Sequence, residues 1–401
     1  LLHKFSYASL ARLVQVLFPL LLYPYLVSTV GLESFGEVLY WVSLSAFLAN
    51  VAGLNIETYS AKKIKEAVTQ KDLFEAIFAP VLLKIMAATL VLFMWFVLLY
   101  FNNLDDEGVL LIAFSVYPLL TVVLIPSHVV LGLGRFKELF FATVIEKTIL
   151  LLLVFLFIKS NIDFYLIPLL YFISISTSVV YFWLMMIPKL LPGFNKFKYK
   201  KIELKSYFQV APILFLGKIT QLHTNGGKFI LGSFVGVQYI VVYDVCEKII
   251  NIFKIPLSIV GQVAFSSIKK TRMAYAKLFS LLSVMSLFFV FVILDFGDYF
   301  TSYFLGSKNI KLAAPSLEVL SLIILFMPLL ITFGTNYLVK YAKPTTYGKV
   351  LFLCNMISIT TLFISYFTGN LNYQVFLYWA VFCEVILSIA CVLITFKLMR
   401  N

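Results

Sequence analysis

The chain has 401 residues, 62% of them hydrophobic and only 13% charged; a soluble domain is nearer half apolar and a quarter charged. No soluble core could bury that much apolar surface. The formal net charge of +13 lies in basic clusters between apolar runs, a pattern of membrane orientation and not of nucleic-acid binding.

The apolar runs reach the roughly 20 residues that a helix needs to cross the hydrocarbon, and they lack the ~10-residue alternation of barrel strands. The expected fold class is therefore all-α, a polytopic membrane protein of about twelve spans. The first span is 7–30. It lacks a cleavage site and is expected to stay as a helix. The chain opens Leu1-Leu2 with no Met, so a short preceding segment is expected. Spans at 35–55, 77–101, 108–131, 139–158 and 165–187 complete an N-terminal lobe, 1–187. Between the second and third, residues 57–76 read as an amphipathic surface helix with Lys62, Lys63, Lys65 and Lys71. Residues 188–206 carry six lysines and read as a cytoplasmic basic linker. The second lobe, 207–401, holds spans at 207–235, 238–262, 276–296, 314–339, 347–368 and 373–398. The aromatic-rich stretch 297–313 leaves the border between the ninth and tenth spans open.

Orientation follows from lysine and arginine. Counting the termini and the loops, 22 lie on one side and only Lys159, Lys308 and Lys311 on the other. The positive-inside bias predicts that both termini are cytoplasmic. The two halves each hold six spans, so they enter the membrane from the same side. Leu26–Gly31 and Leu231–Gly236 both read L-x-S-x-V-G at the ends of the first and seventh spans. Two parallel six-helix lobes around a central cavity are the expected architecture.

Seven basic residues remain inside predicted spans: Arg12, Lys84, Lys147, Lys218, Lys228, Lys248 and Lys254. A lysine at the bilayer centre costs at least ~2.5 kcal/mol, so such a residue faces a cavity or a partner. Asp244 and Lys248 are four apart on one helix and can meet. Glu146 and Lys147 are adjacent, and adjacent residues do not face each other on a helix. Lys218 and Lys228 share the seventh span with no acid between them. His223 lies between them in the polar run Thr220–Gly227. Arg12, Lys218, His223, Lys228, Lys248 and Lys254 together suggest a wet cationic cavity suited to an anionic group such as a pyrophosphate. The competing expectations are that Arg12, Lys84 and Lys254 snorkel to an interface, that Asp244–Lys248 is a structural bridge, and that His223 is a hydrogen-bonded core histidine. Glu146, Glu318, Glu384 and Asp244 are candidates for proton or sodium coupling, because buried carboxylates can exchange protons. No other cofactor is expected, and no metal site. The four cysteines lie in apolar runs without metal-ligand spacing and read as small buried residues. Walker A, Gly-x-Ser-x-Gly and H-E-x-x-H sequences are missing. The predicted external loops are too short for a membrane glycosyltransferase or polymerase, so an enzyme is not expected.

The stretch Phe18–Gly36 resembles the opening of O-antigen flippases, the Wzx-type polysaccharide transporters of the multidrug/oligosaccharidyl-lipid/polysaccharide exporter superfamily. That family's P-L-x-x-x-P-Y-L stretch leads to an L-G-x-x-x-F-G turn. Pro19, Leu20, Pro24, Tyr25, Leu26, Gly31, Phe35 and Gly36 match it. Asn50–Asn55 and Ala61–Ile64 resemble the family's second helix and basic exit, and Leu231–Ser233 with Tyr243–Ile249 resembles its seventh-to-eighth helix region. Ser28 stands where members often carry an arginine. The resemblance implies a flippase in the bacterial inner membrane, working by alternating access. Its expected substrate is an undecaprenyl-pyrophosphate-linked oligosaccharide, taken from the cytoplasmic side and released outward. Membrane lipids and the polysaccharide polymerase machinery are the further partners implied. A cation-coupled multidrug or metabolite antiporter of the same superfamily is the alternative. It would favour a carboxylate-rich cavity.

Overall fold

The computed structural model describes residues 2–101, 105–190, 204–211, 222–268, 271–339 and 344–400. Among the described residues there is no strand, and eleven helices are long and apolar enough to cross a membrane. The expected seventh span, 207–235, includes 212–221, which lie outside the described residues; its second part is the helix Leu222–Phe234. Most of the basic linker, 191–203, also lies outside them.

The outward faces of the helices stay apolar, which suits lipid and not water as the solvent. Leu90, Phe93 and Phe96 are exposed on the Gln70–Phe101 helix, and Leu287, Phe288 and Phe291 on the Arg272–Leu305 helix. With no water to bond backbone groups, the helix satisfies them internally. At 1.5 Å per residue, the 32 residues of Gln70–Phe101 reach well beyond the ~30 Å hydrocarbon. The ninth span runs further than its sequence pattern suggests. Its helix holds 34 residues, absorbs the aromatic stretch to Leu305 and stops at Gly306. Pro126 breaks the fourth span, because proline lacks the N–H that the helix ladder needs.

Two compact units form: Leu1–Leu22 with Thr29–Ile219, and Tyr23–Ser28 with Thr220–Asn401. In the first unit the surface helix Glu57–Glu66 buries Ser60, Ala61 and Ile64 and leaves Lys62, Lys63 and Lys65 exposed. Ile64 joins a core with Ile77, Val129 and Phe182. Residues 70–76 of the expected surface segment belong instead to the start of the third span. The short helix at 205–211 packs within the same unit through Tyr207 and Ala211, against Ile56, Ala79 and Leu83. In the second unit Tyr275, Tyr337, Leu338 and Cys391 centre another core. All four cysteines are free and buried, as their apolar settings suggest.

The L-x-S-x-V-G match has a backbone counterpart. Gly31 and Gly236 each precede the second helix of their half, with φ of 85° and 144° and extended ψ. A side chain is strained in that region, so glycine is required there. A Cβ on Gly31 would meet nothing within 4 Å, so Gly31→Ala tests the backbone term alone. It is expected to lower stability by about 1–3 kcal/mol. Gly348, also in open space but inside the Pro344–Phe367 helix, should give the opposite sign. Gly348→Ala is expected to add about 0.5–1 kcal/mol. Thermal unfolding of the two variants in detergent reads both.

Candidate functional site

The sequence-predicted charges converge mainly in the second unit. On the Val237–Ser267 helix, Tyr243, Glu247, Asn251 and Lys254 recur at spacings of four, four and three, so they share one face. Asp244 and Lys248 form the neighbouring stripe. Tyr23 lies on the Leu2–Val30 helix and Lys228 on the Leu222–Phe234 helix. Tyr23, Lys228 and Asp244 each lie eight residues from a turn glycine, Gly31 or Gly236, which is about 12 Å along a helix at 1.5 Å per residue. Within the second unit their side chains meet.

The contacts form a closed network. The Lys228 Nζ lies 2.5 Å from Asp244 Oδ1 and 2.5 Å from Glu247 Oε2. The Lys248 Nζ donates to Asp244 Oδ2, as the four-residue spacing suggests, and to the Tyr23 hydroxyl at 2.7 Å. The Tyr23 hydroxyl in turn donates to Asp244 Oδ2. The Lys248 ammonium also sits 4.9 Å from the Tyr23 ring centroid, close enough for a cation–π contribution. Asp244 is 4% exposed. Lys228 is thus not without acids: it meets two carboxylates of the next helix, which the spacing within its own helix could not reveal. Two ammonium groups face two carboxylates, so this group carries no net formal charge.

Beside it a cavity of about 180 Å³ opens among three helices of the second unit. Tyr243, Glu247, Asn251 and Lys254 line one wall. Glu384 faces them from the Tyr373–Arg400 helix, with its carboxylate 4.0 Å from the Lys254 Nζ. Leu320 and Ile323, from the Ile310–Leu329 helix, form the apolar wall.

The remaining sequence candidates are dispersed. Lys218 lies outside the described residues, and His223 lies in the Leu222–Phe234 helix. Arg12 is exposed, in keeping with a snorkelling arginine. Glu318 is exposed on its helix. Glu146 is buried in the first unit, where Ser178 donates to its Oε2 at 2.9 Å. Its Oε1 accepts from Lys147 at 2.6 Å, against the expectation that these neighbours do not face each other. A lysine stem is long enough to fold back across the roughly 100° between adjacent helical positions. Lys84 does not snorkel. It is 1% exposed and donates to Glu57 Oε1 at 2.9 Å and to the Val122 carbonyl at 3.0 Å. Glu57, Tyr23, Tyr243 and Asn251 are members that sequence reasoning missed. The Tyr243/Glu247/Asn251/Lys254 ladder was visible as a periodicity.

Tyr23→Phe removes one hydroxyl from the network and keeps the ring. Asp244 and Lys248 each lose a partner, and a loss of about 1–2 kcal/mol is expected. Thermal unfolding checks it, and an unchanged midpoint would contradict the hydroxyl's place in the network.

A family model described as polysaccharide biosynthesis protein matches residues 1–271. No curated protein matches the chain. Among solved structures, the fold is similar to an inward-facing multidrug resistance MATE family transporter of the MOP superfamily. The TM-score is 0.72 at 14% identity, over 98% of this chain and 94% of that one. A MATE structure in complex with MaL6 gives 0.64 at 18% identity, over 99% and 96%. A MOP-superfamily transporter from Pyrococcus furiosus, described as having a binding pocket of reverse polarity, gives 0.61 at 16% identity, over 98% and 94%. At these identities the likeness shows the fold alone.

Proposed function

We propose, since the chain belongs to the polysaccharide biosynthesis protein family, that this multi-pass membrane transporter is a flippase for undecaprenyl-pyrophosphate-linked oligosaccharides. The units are those of O-antigen or a related polymer. They pass by alternating access from the cytoplasmic to the outer leaflet of the bacterial inner membrane, and no bond is made or broken. On this reading both chain termini lie in the cytoplasm, a view that the lysine and arginine distribution supports.

The observation that carries this reading is the pair of intramembrane ammonium groups, Lys228 and Lys248, held by Asp244, Glu247 and Tyr23. Each lysine costs at least ~2.5 kcal/mol at mid-membrane, and a transporter keeps such charges where substrate passes. In the resting arrangement the carboxylates neutralise them. A pyrophosphate, with more charge and more acceptor oxygens than one carboxylate, competes for the same donors. His223 is a further candidate for headgroup contact beside them, and Arg12 and Lys218 are candidates from the sequence alone. Asp244, already paired with two lysines, and buried Glu146 are the candidates for proton or sodium coupling, and Glu384, paired with Lys254, is a candidate for proton coupling. The polymerase machinery that consumes the exported unit is the expected functional partner.

The Glu247 and Glu384 carboxylates in the cavity favour the second reading, a cation-coupled antiporter for drugs or metabolites. Deleting the gene in its native host separates the two. Under the flippase reading, lipid-linked oligosaccharide accumulates with its sugars shielded from a membrane-impermeant oxidant in spheroplasts, and restoring the gene exposes them. Equal exposure with and without the gene, together with lost tolerance to cationic drugs, would move the assignment to the antiporter.

A further inference from the structure

We infer that the cavity between the Val237–Ser267, Ile310–Leu329 and Tyr373–Arg400 helices is a sugar-ring subsite. It takes a single uncharged pyranose of the transported glycan through Tyr243, Glu247, Asn251, Lys254 and Glu384. This rests on the flippase reading and assigns the glycan end of the substrate to a place apart from the ammonium groups of Lys228 and Lys248.

The chemistry of the lining selects the occupant. Glu247 and Glu384 supply acceptors, Lys254 supplies donors, and Asn251 supplies both. A ring of hydroxyls offers donors and acceptors at neighbouring carbons, so it satisfies such a mixed wall. A small cation does not. It needs converging oxygens at close range, and Lys254 already places an ammonium 4.0 Å from Glu384. Among the described residues no group of three or more His, Cys, Asp or Glu side chains could hold a metal ion. A second pyrophosphate is disfavoured as well, because two carboxylates face the space and its one lysine, Lys254, is already beside Glu384.

The shape agrees. At about 180 Å³ the cavity exceeds the room one water needs by a wide margin. It is small beside a typical drug-sized pocket, which begins near ~300 Å³. Leu320 and Ile323 add apolar lining, on which the C–H face of a ring can lie, to the hydrogen-bonding side chains. Glu247 belongs to both features: it lines the cavity and holds Lys228 at 2.5 Å. A hydroxyl that draws on Glu247 weakens its hold on Lys228, which links glycan recognition to release of the headgroup-binding ammonium.

The test is binding by the full-length protein in detergent. The probes are methyl pyranosides of the common neutral and N-acetylated sugars at millimolar concentration, alongside sodium chloride against choline chloride. The readout is the shift in thermal unfolding midpoint. The subsite predicts that at least one methyl glycoside raises the wild-type midpoint. Asn251→Leu and Glu384→Gln should lose that rise at least about tenfold in apparent affinity, because a site built to bond hydroxyls fails when a partner is removed. The exposed Lys349→Ala should keep it. No rise with any glycoside, or a rise that both lining variants retain, overturns the proposal. A sodium-specific rise lost in Glu384→Gln, without any sugar effect, also overturns it and makes the cavity a cation site. Glycoside binding by a protein that transports no lipid-linked sugar would uphold the subsite while the flippase reading falls.

Discussion

Asp244→Ala is expected to destabilise the protein by about 3–5 kcal/mol, the largest loss of any single change in the second unit. Asp244 accepts from Lys228, Lys248 and Tyr23, and it is 4% exposed. Removing it leaves two ammonium groups near each other where the dielectric is low and the solvent is hydrocarbon. The consequences differ for the two lysines. Lys228 keeps Glu247 at 2.5 Å, whereas Lys248 keeps the neutral Tyr23 hydroxyl. Adding Lys248→Met to Asp244→Ala should therefore recover more than 1 kcal/mol, because the surviving charges, Lys228 and Glu247, again balance. Adding Lys228→Met instead should recover less, since it breaks the 2.5 Å Lys228–Glu247 contact and leaves Glu247 and Lys248 with no such contact between them. Thermal unfolding of the three variants orders them. Equal recovery from both second changes would show that the network is not divided in this way.

The second large effect lies in the first unit. Glu57→Ala is expected to cost about 3–5 kcal/mol, and Lys84→Met only about 1–3 kcal/mol. The asymmetry comes from burial. The Lys84 side chain is 1% exposed and the Glu57 side chain is 20% exposed. Taking away the glutamate removes the counter-charge from a lysine that water does not reach. Taking away the lysine leaves a glutamate that can hydrate, and methionine fills the space of the lysine stem. Glu57 opens the helix Glu57–Glu66, whose Ile64 packs into the core, so its loss should also loosen that helix. Hydrogen exchange across 57–66 should rise in Glu57→Ala and stay near wild type in Lys84→Met. The reverse order of midpoints would mean that the pair does not anchor the helix.

What could be read from the sequence follows from what depends on local spacing. Apolar run lengths depend on the bilayer, so the spans were legible, as was the turn glycine repeated at Gly31 and Gly236. The Asp244–Lys248 pair was legible because helical geometry fixes residues four apart. The partners of Lys228 were not, since Asp244 and Glu247 lie on the next helix and their meeting depends on packing register. The Lys84–Glu57 pair was hidden for the same reason, across 27 residues and two helices. Glu146–Lys147 was misjudged because backbone direction was taken for side-chain reach. Glu318 shows the converse limit: an acid within an apolar run need not be buried. The cavity is a product of three helices, so only its Tyr243–Lys254 face had a signature in the chain.

Proteoliposomes test the central claim most directly. The protein is reconstituted with undecaprenyl-pyrophosphate-linked oligosaccharide, and the fraction of sugar accessible to an external glycosidase is followed in time. The flippase account predicts that accessibility rises from about half, the outer-leaflet share, towards completion in protein-containing vesicles and not in empty ones. Accessibility that stays at the empty-vesicle level, in a folded and correctly reconstituted protein, would contradict it.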